Sequence, residues 1–295
     1  MTGERPVRLL CFPHAGAGGA AFARWQSVFG DHPQVVPLPL PGRDTRAGEP
    51  RLTDPTALMD DLLCRAGPLT DAPYALYGHS LGALVAHHFA HEAATAGYRP
   101  PVSVVLGAVQ PPHLPSPLLR HELPADDKAV LRRLVSWGLL PERAALEGED
   151  TAGLWRRRVL PVLRDDLLLA HALRAGAAGP LDMPVLAVAG RADTLAPPGL
   201  VAQWRQYAPA GFALRTVPGG HFFVRERRLP ELLARALDAA AADGCDGRPV
   251  IPQSTIAPSR PTAGGRTRKG GRRAGSAVHS DQYLHPQEPG GRRDF

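Results

Sequence analysis

Gly78-His79-Ser80-Leu81-Gly82 constrains this chain more than any other stretch, because of what flanks it. Before it, Pro73-Tyr74-Ala75-Leu76-Tyr77 is a short apolar run bounded by Pro and Gly, which reads as a buried strand. After it, Leu81–Ala96 is rich in Leu, Ala and His and has no Gly or Pro beyond Gly82, which reads as a helix. A strand that turns into a helix within one residue brings the two backbones together, so the neighbours of the turn residue must be small. A serine at such a tip sits in strained backbone geometry. Its hydroxyl is exposed at the C-terminal edge of the sheet, where the free N–H groups and positive dipole end of the helix meet any oxygen that gains charge.

A serine hydroxyl needs a base to take its proton, and the base needs a carboxylate to orient it. The strand–turn–helix elbow predicts the chain order Ser, then Asp or Glu, then His. Pro184–Gly190 reads as another buried strand, and Asp193 lies just past its end. Phe212–Val217 alternates as a strand, and Pro218-Gly219-Gly220-His221 follows it. Asp193 and His221 therefore fall on loops at strand C-termini, the edge at which an open α/β sheet places its chemistry. Ser80, Asp193 and His221 are the candidate catalytic residues. Asp182 precedes its strand and belongs to the opposite edge, while Asp165 and Asp166 fall inside a helical pattern. His79 reads as filler in the variable position of the elbow.

The attacked carbonyl becomes an oxyanion, which two backbone N–H groups would hold. Leu81, directly after the serine, supplies one. Val7–Phe12 reads as the first strand, and the Gly-rich loop Pro13-His14-Ala15-Gly16-Ala17-Gly18-Gly19 after it supplies the other, assigned to Ala15. That loop lacks the Lys-Ser/Thr of a phosphate-binding loop and the spacing of a dinucleotide fingerprint, which argues against a nucleotide site.

Residues 7 to about 240 resemble the type II thioesterases that accompany non-ribosomal peptide and polyketide synthases, members of the α/β-hydrolase superfamily. The resemblance rests on Cys11-Phe12-Pro13-His14-Ala15-Gly16, Leu40-Pro41-Gly42-Arg43, Tyr77–Ala83, Leu163-Arg164-Asp165-Asp166 and Pro218-Gly219-Gly220-His221-Phe222-Phe223. It implies hydrolysis of acyl groups from the phosphopantetheine arm of an acyl or peptidyl carrier protein, as editing of stalled or mis-primed synthases in antibiotic biosynthesis. It implies the same triad and the same oxyanion donors. Such proteins often carry a Ser-Gly-Arg-type stretch where this chain has Gly107–His113. A small-molecule carboxylesterase or acyl-CoA hydrolase would carry the same triad, a cyclising enzyme the same acyl-enzyme, and an idle hydrolase-fold partner of a synthase the same fold.

The rest of the chain fits one α/β domain over 1–243, with a mostly parallel central sheet and helices on both faces. Further strands are expected at Val35–Leu38 and Val102–Val109. Helices are expected at Ala20–Phe29, Pro55–Ala66, Gly199–Tyr207 and Leu229–Ala242. From about 113 to 180 the alternation stops, and helical patterns at Ala125–Leu140 and Gly153–Arg174 suggest a lid insertion. Its Trp137, Leu139, Leu140, Trp155, Leu163 and Leu167 are candidates for an acyl channel or, for most of them, for plain packing. Residues 244–295 are Gly-, Pro- and Arg-rich, a composition expected to stay disordered. They carry nine Lys or Arg against four Asp or Glu, +5 of the chain's +6. The basic balance therefore belongs to the tail, which reads as a dispensable appendage, and no nucleic-acid partner is expected.

His87 and His91 stand four apart on the elbow helix, but His88 occupies the glutamate position of a zinc motif and no third ligand appears, so no metal is expected. Three cysteines without framework spacing, no apolar leader and no membrane-length run suggest a cytoplasmic protein without membrane contact. A monomer is expected, with no cofactor of its own, since the resemblance implies that the substrate carries the phosphopantetheine.

Overall fold

The computed structural model describes residues 7–116, 126–140, 142, 153, 155–176 and 178–243. The chain divides into two units, Met1–Gln253 and Ser254–Phe295. The second unit lies outside the described residues, as does the basic tail expected from 244.

Six parallel strands form one sheet: β1 (Arg8–Phe12), β2 (Gln34–Pro37), β3 (Tyr74–His79), β4 (Val104–Gly107), β5 (Val185–Gly190) and β6 (Phe212–Val217), in the order β2-β1-β3-β4-β5-β6. The central strands β3, β4 and β5 are buried at every position, which is why they read as unbroken apolar runs. Seven α-helices accompany them among the described residues: α1 (Gln26–Phe29), α2 (Pro55–Ala66), α3 (Leu81–Thr95), α4 (Asp127–Ser136), α5 (Leu160–Ala175), α6 (Pro198–Val201) and α7 (Arg228–Asp243).

Two cores lie on the two faces of the sheet. Leu10 and Phe12 of β1 point with Leu76 into the layer of α2 and α3. Their neighbours Leu9 and Cys11 point with Tyr77 into the opposite layer, which holds Phe29 of α1 and Leu229 and Leu233 of α7. Helices α4 and α5 share a third, smaller core of Val130, Leu131, Leu134, Leu160, Leu163 and Leu167 against Ala15. Helix α5 has a second face, since its Leu169, Ala170 and Leu173 join the main core. Helices α4 and α5 thus lie over the loop after β1, tied down by α5, which serves two cores.

Several expected elements come out shorter or broken. Ala20–Phe29 is a 3₁₀ turn (Gly19–Phe22) followed by the four-residue α1. Its Gly19 N–H goes to the Asp44 carboxylate, and its Trp25 Nε1 is pinned to the Val224 carbonyl at 3.2 Å, so side-chain anchors set its path. Gly199–Tyr207 is α6 followed by a 3₁₀ stretch, Ala202–Tyr207. Strand β4 ends at Gly107 because Ala108 turns to φ 55°.

The topology positions the site. From β1 the chain steps outward to β2, then crosses back over β1 to β3, so the connections diverge between β1 and β3. That is the switch point of an open α/β sheet. The register pairs Phe12 with Gly78. The Gly-rich loop and the Ser80 elbow therefore leave the sheet side by side.

Candidate active site

The elbow forms as the sequence predicts. Ser80 has φ 54° and ψ −115° and precedes α3 at its N-cap. A Cβ on Gly78 would collide with the Gly82 carbonyl, and one on Gly82 with the carbonyls of Phe12 and Pro13. Only glycine lets the strand, the helix and the neighbouring loop approach this closely. The Ser80 N–H is held by the Gly107 carbonyl of β4 at 2.8 Å. The Ser80 side chain makes no capping hydrogen bond to the helix.

Its hydroxyl donates instead to His221 Nε2, at 3.1 Å, and His221 Nδ1 donates to Asp193 Oδ2 at 3.0 Å. The other Asp193 oxygen accepts the N–H groups of Leu195 at 2.9 Å and Ala196 at 3.0 Å. Those two bonds and the imidazole fix a carboxylate that is almost wholly buried. Ser80 and His221, 141 positions apart in sequence, thus meet with Asp193 in one hydrogen-bonded chain.

The meeting is not automatic. β6 stands three strand spacings from β3, about 14 Å. The 218–222 loop must run back across the ends of β5 and β4 to bring His221 to Ser80. His79 holds it there: its Nε2 bonds the His221 carbonyl at 2.8 Å, its Nδ1 meets the Tyr77 hydroxyl at 2.8 Å, and its ring packs edge-on against Phe223. A carbonyl only accepts, so Nε2 carries the proton and Nδ1 accepts from the Tyr77 O–H. Burial above all, and then the nearby His14 and His221, keep His79 far below the ordinary histidine range, hence neutral. The reading of His79 as filler is therefore corrected. Its partner lies 142 residues away. The local signal was the i, i+2 pairing of Tyr77 and His79 on one face of a strand.

Of the Gly-rich loop, the Gly16 N–H is taken by Asp166 and the Ala17 N–H by the His14 carbonyl. Neither the Ala15 nor the Leu81 N–H has an acceptor among the described residues, and both residues line the same cavity as Ser80 and His221. His14, which the sequence reading left out, also lines it. Burial, then Arg225, then His221 push its pKa down to about 3, and its Nδ1 has no partner among the described residues.

The cavity holds about 930 Å³. Of the six lid residues named from the sequence, Leu139, Leu140, Trp155, Leu163 and Leu167 line it, while Trp137 packs against the lid core. His87 and His88 bond the carbonyls of Gly179 and Leu173. Asp165 and Asp166 pair with Arg51 and Arg43. Among the described residues no group of three His, Cys, Asp or Glu is placed to hold a metal.

The sequence profile of the thioesterase domain family matches residues 7–240. The chain belongs to the thioesterase domain family. The thioesterase PikA5 of Streptomyces venezuelae is 35% identical over 225 residues, covering 75% of this chain and 76% of its own. The solved structure of RedJ, a thioesterase from the prodiginine biosynthetic pathway in Streptomyces coelicolor, matches with a TM-score of 0.69 at 34% identity, over 78% of this chain and 85% of that one. YbtT, a type II thioesterase from the yersiniabactin NRPS/PKS biosynthetic pathway, matches with a TM-score of 0.67 at 25% identity, over 81% and 96%. The resemblance drawn from the motifs is borne out. This thioesterase has the α/β-hydrolase fold, and its activity is that of a hydrolase of thioesters. No helix among the described residues is long and apolar enough to cross a membrane.

Proposed function

We propose that this thioesterase removes acyl groups from the phosphopantetheine arm of an acyl or peptidyl carrier protein, clearing stalled or wrongly primed synthases in antibiotic biosynthesis. Ser80 is the nucleophile, His221 the base and Asp193 the orienting acid. Neutral His221 Nε2 takes the Ser80 proton as Oγ attacks the thioester carbonyl. Asp193 holds the imidazole tautomer and stabilises the cation that forms. The N–H groups of Ala15 and Leu81 take the oxyanion, assisted by the α3 N-terminus. The tetrahedral intermediate collapses, and the pantetheine sulfur leaves with the proton from His221. Water then gives a proton to His221 and attacks the acyl-Ser80 ester. The second collapse releases the acid and returns the proton to Ser80. The protein supplies every group in this cycle, so the reading needs no metal or cofactor beyond the arm the substrate brings.

The observation that carries the reading is the Ser80–His221–Asp193 chain opening on a large, mainly apolar cavity beside two unengaged N–H groups. Apolar lid residues suit an acyl chain, and their position over the loop after β1 suits delivery of its thioester to Ser80. The reading also takes the thioesterase to be a cytoplasmic monomer that meets its carrier transiently.

The test compares one acyl group presented as the carrier-protein thioester, the CoA thioester and a p-nitrophenyl oxygen ester. The expected order of kcat/KM is carrier first and oxygen ester last. Equal turnover of the oxygen ester with no gain from the carrier replaces this reading with a small-molecule carboxylesterase.

A further inference from the structure

Asp166 belongs to α5 of the lid, not to the triad, and is 2% exposed. Its Oδ2 accepts the backbone N–H of Gly16 at 2.6 Å and Arg43 Nη1 at 2.7 Å, while its Oδ1 accepts Arg43 Nη2 at 2.6 Å. Arg43 Nη1 also donates to the Ala17 carbonyl at 3.3 Å. One lid carboxylate and one guanidinium from the loop after β2 thus grip the Gly-rich loop on both sides of Gly16. Leu163, three residues earlier and so on the same helix face, closes on the same point. A Cβ on Gly16 would lie 2.7 Å from Leu163 Cδ2, and Gly16 itself is at φ 74°.

Ala15 directly precedes the gripped Gly16 and lines the cavity with it. Pinning the Gly16 N–H sets ψ of Ala15 and hence the run of the peptide that carries the Ala15 N–H. An ionised acceptor makes the stronger bond. A bare carboxylate this near a forming oxyanion would repel it, and in a buried site the repulsion is poorly screened. Arg43, bidentate, cancels that charge where it stands.

We infer that Asp166 is a positioning residue for the thioesterase reaction: with Arg43 it aims the Ala15 N–H, and through α5 it makes the oxyanion site complete only while the lid helix is seated. The inference rests on the assignment of Ala15 as an oxyanion donor proposed above. It assigns a role to an aspartate that a search for the triad acid passes over.

Two double variants of the full chain isolate the effect at equal charge. Arg43→Met/Asp166→Asn keeps an oxygen for the Gly16 N–H, and Arg43→Met/Asp166→Ala removes it. Both are assayed for kcat and KM on an acyl-CoA thioester and for the rate at which an alkyl fluorophosphonate labels Ser80, since its phosphoryl oxygen takes the oxyanion's place. The Asn double should exceed the Ala double about tenfold in kcat, as expected for loss of alignment rather than of a donor. Labelling rates should differ in the same ratio, with KM alike. Equal kcat values, or a difference confined to KM, overturn the inference. If neither double folds, Asp166→Asn alone decides: kcat and labelling rate fall together, or the inference is wrong. Absence of labelling at Ser80 in the unaltered protein would instead sink the underlying mechanism.

Discussion

Ser80 keeps a backbone conformation that costs a non-glycine residue about 1–3 kcal/mol. It is held there by its own N–H on Gly107 and its carbonyl on Ala83, and by two glycines that admit the neighbouring backbones. The constraint aims one hydroxyl at one imidazole. Ser80→Ala removes that hydroxyl and nothing that shapes the turn. We expect kcat/KM to fall by about 10⁴-fold or more, because the triad acts as a unit, with circular dichroism and melting temperature unchanged. A well-folded variant with near-normal turnover would remove Ser80 from the mechanism. The three members of the Ser80–His221–Asp193 hydrogen-bonded chain were legible in the sequence because each follows a strand end at the same edge of the sheet. The roles of His79 and Asp166 were not. Each bonds a residue more than 140 positions away, His79 the His221 carbonyl and Asp166 the Gly16 N–H; locally only the Tyr77–His79 spacing sets the first apart, and nothing sets the second apart from an ordinary helical acid.

At the scale of elements, the strands were read to within a few residues, β3, β4 and β5 as unbroken apolar runs because they are buried throughout, and β6 by its alternation. Helix α2 matches its expected Pro55–Ala66, with Asp54 capping through the Ala57 N–H and Pro55 at the first position. The segment at 20–29 was misread as one helix because Phe22, Trp25 and Phe29 stand at helical spacing. That spacing serves equally to bury a 3₁₀ turn and a short helix on the same core. Helices α4 and α5 fall where the strand–helix alternation was expected to stop, but the two faces of α5, one on the cavity and one in the main core, were not legible. Leu139, half-buried, faces the cavity from the turn after α4. Leu139→Trp adds bulk to that wall. It should lower kcat/KM for long acyl thioesters by about tenfold or more, the order of one or two lost methylene contacts, while acetyl thioesters are little affected. Equal loss for both chain lengths would mean that this wall does not contact the acyl chain.

Across the whole molecule, four buried histidines share one property. His14, His79, His87 and His88 all have pKa values lowered chiefly by burial, to about 3 for His14 and for His87. In the unfolded chain they titrate near 6.5. Above that pH neither state binds these protons, and the full stability is present. As pH falls below about 6.5 the unfolded chain takes up protons that the folded one refuses, so stability drops, by up to about 1.4 kcal/mol per pH unit for each histidine, until the folded values are reached. The urea midpoint should therefore be level from pH 8 to 7 and fall steeply between 6.5 and 5. A level midpoint down to pH 5 would contradict the buried, neutral state of this cluster. Two of the four, His14 and His79, pack against the loop that brings His221 to Ser80, so acid should cost activity and stability together.

The central claim is that acyl transfer passes through Ser80. Rapid acid quench of the enzyme with an acyl thioester, followed by intact and peptide mass spectrometry, tests it most directly. The account predicts an acyl adduct on the peptide that contains Ser80, formed before steady state and absent from Ser80→Ala. Turnover without any adduct, or an adduct on another residue that survives in Ser80→Ala, would contradict it.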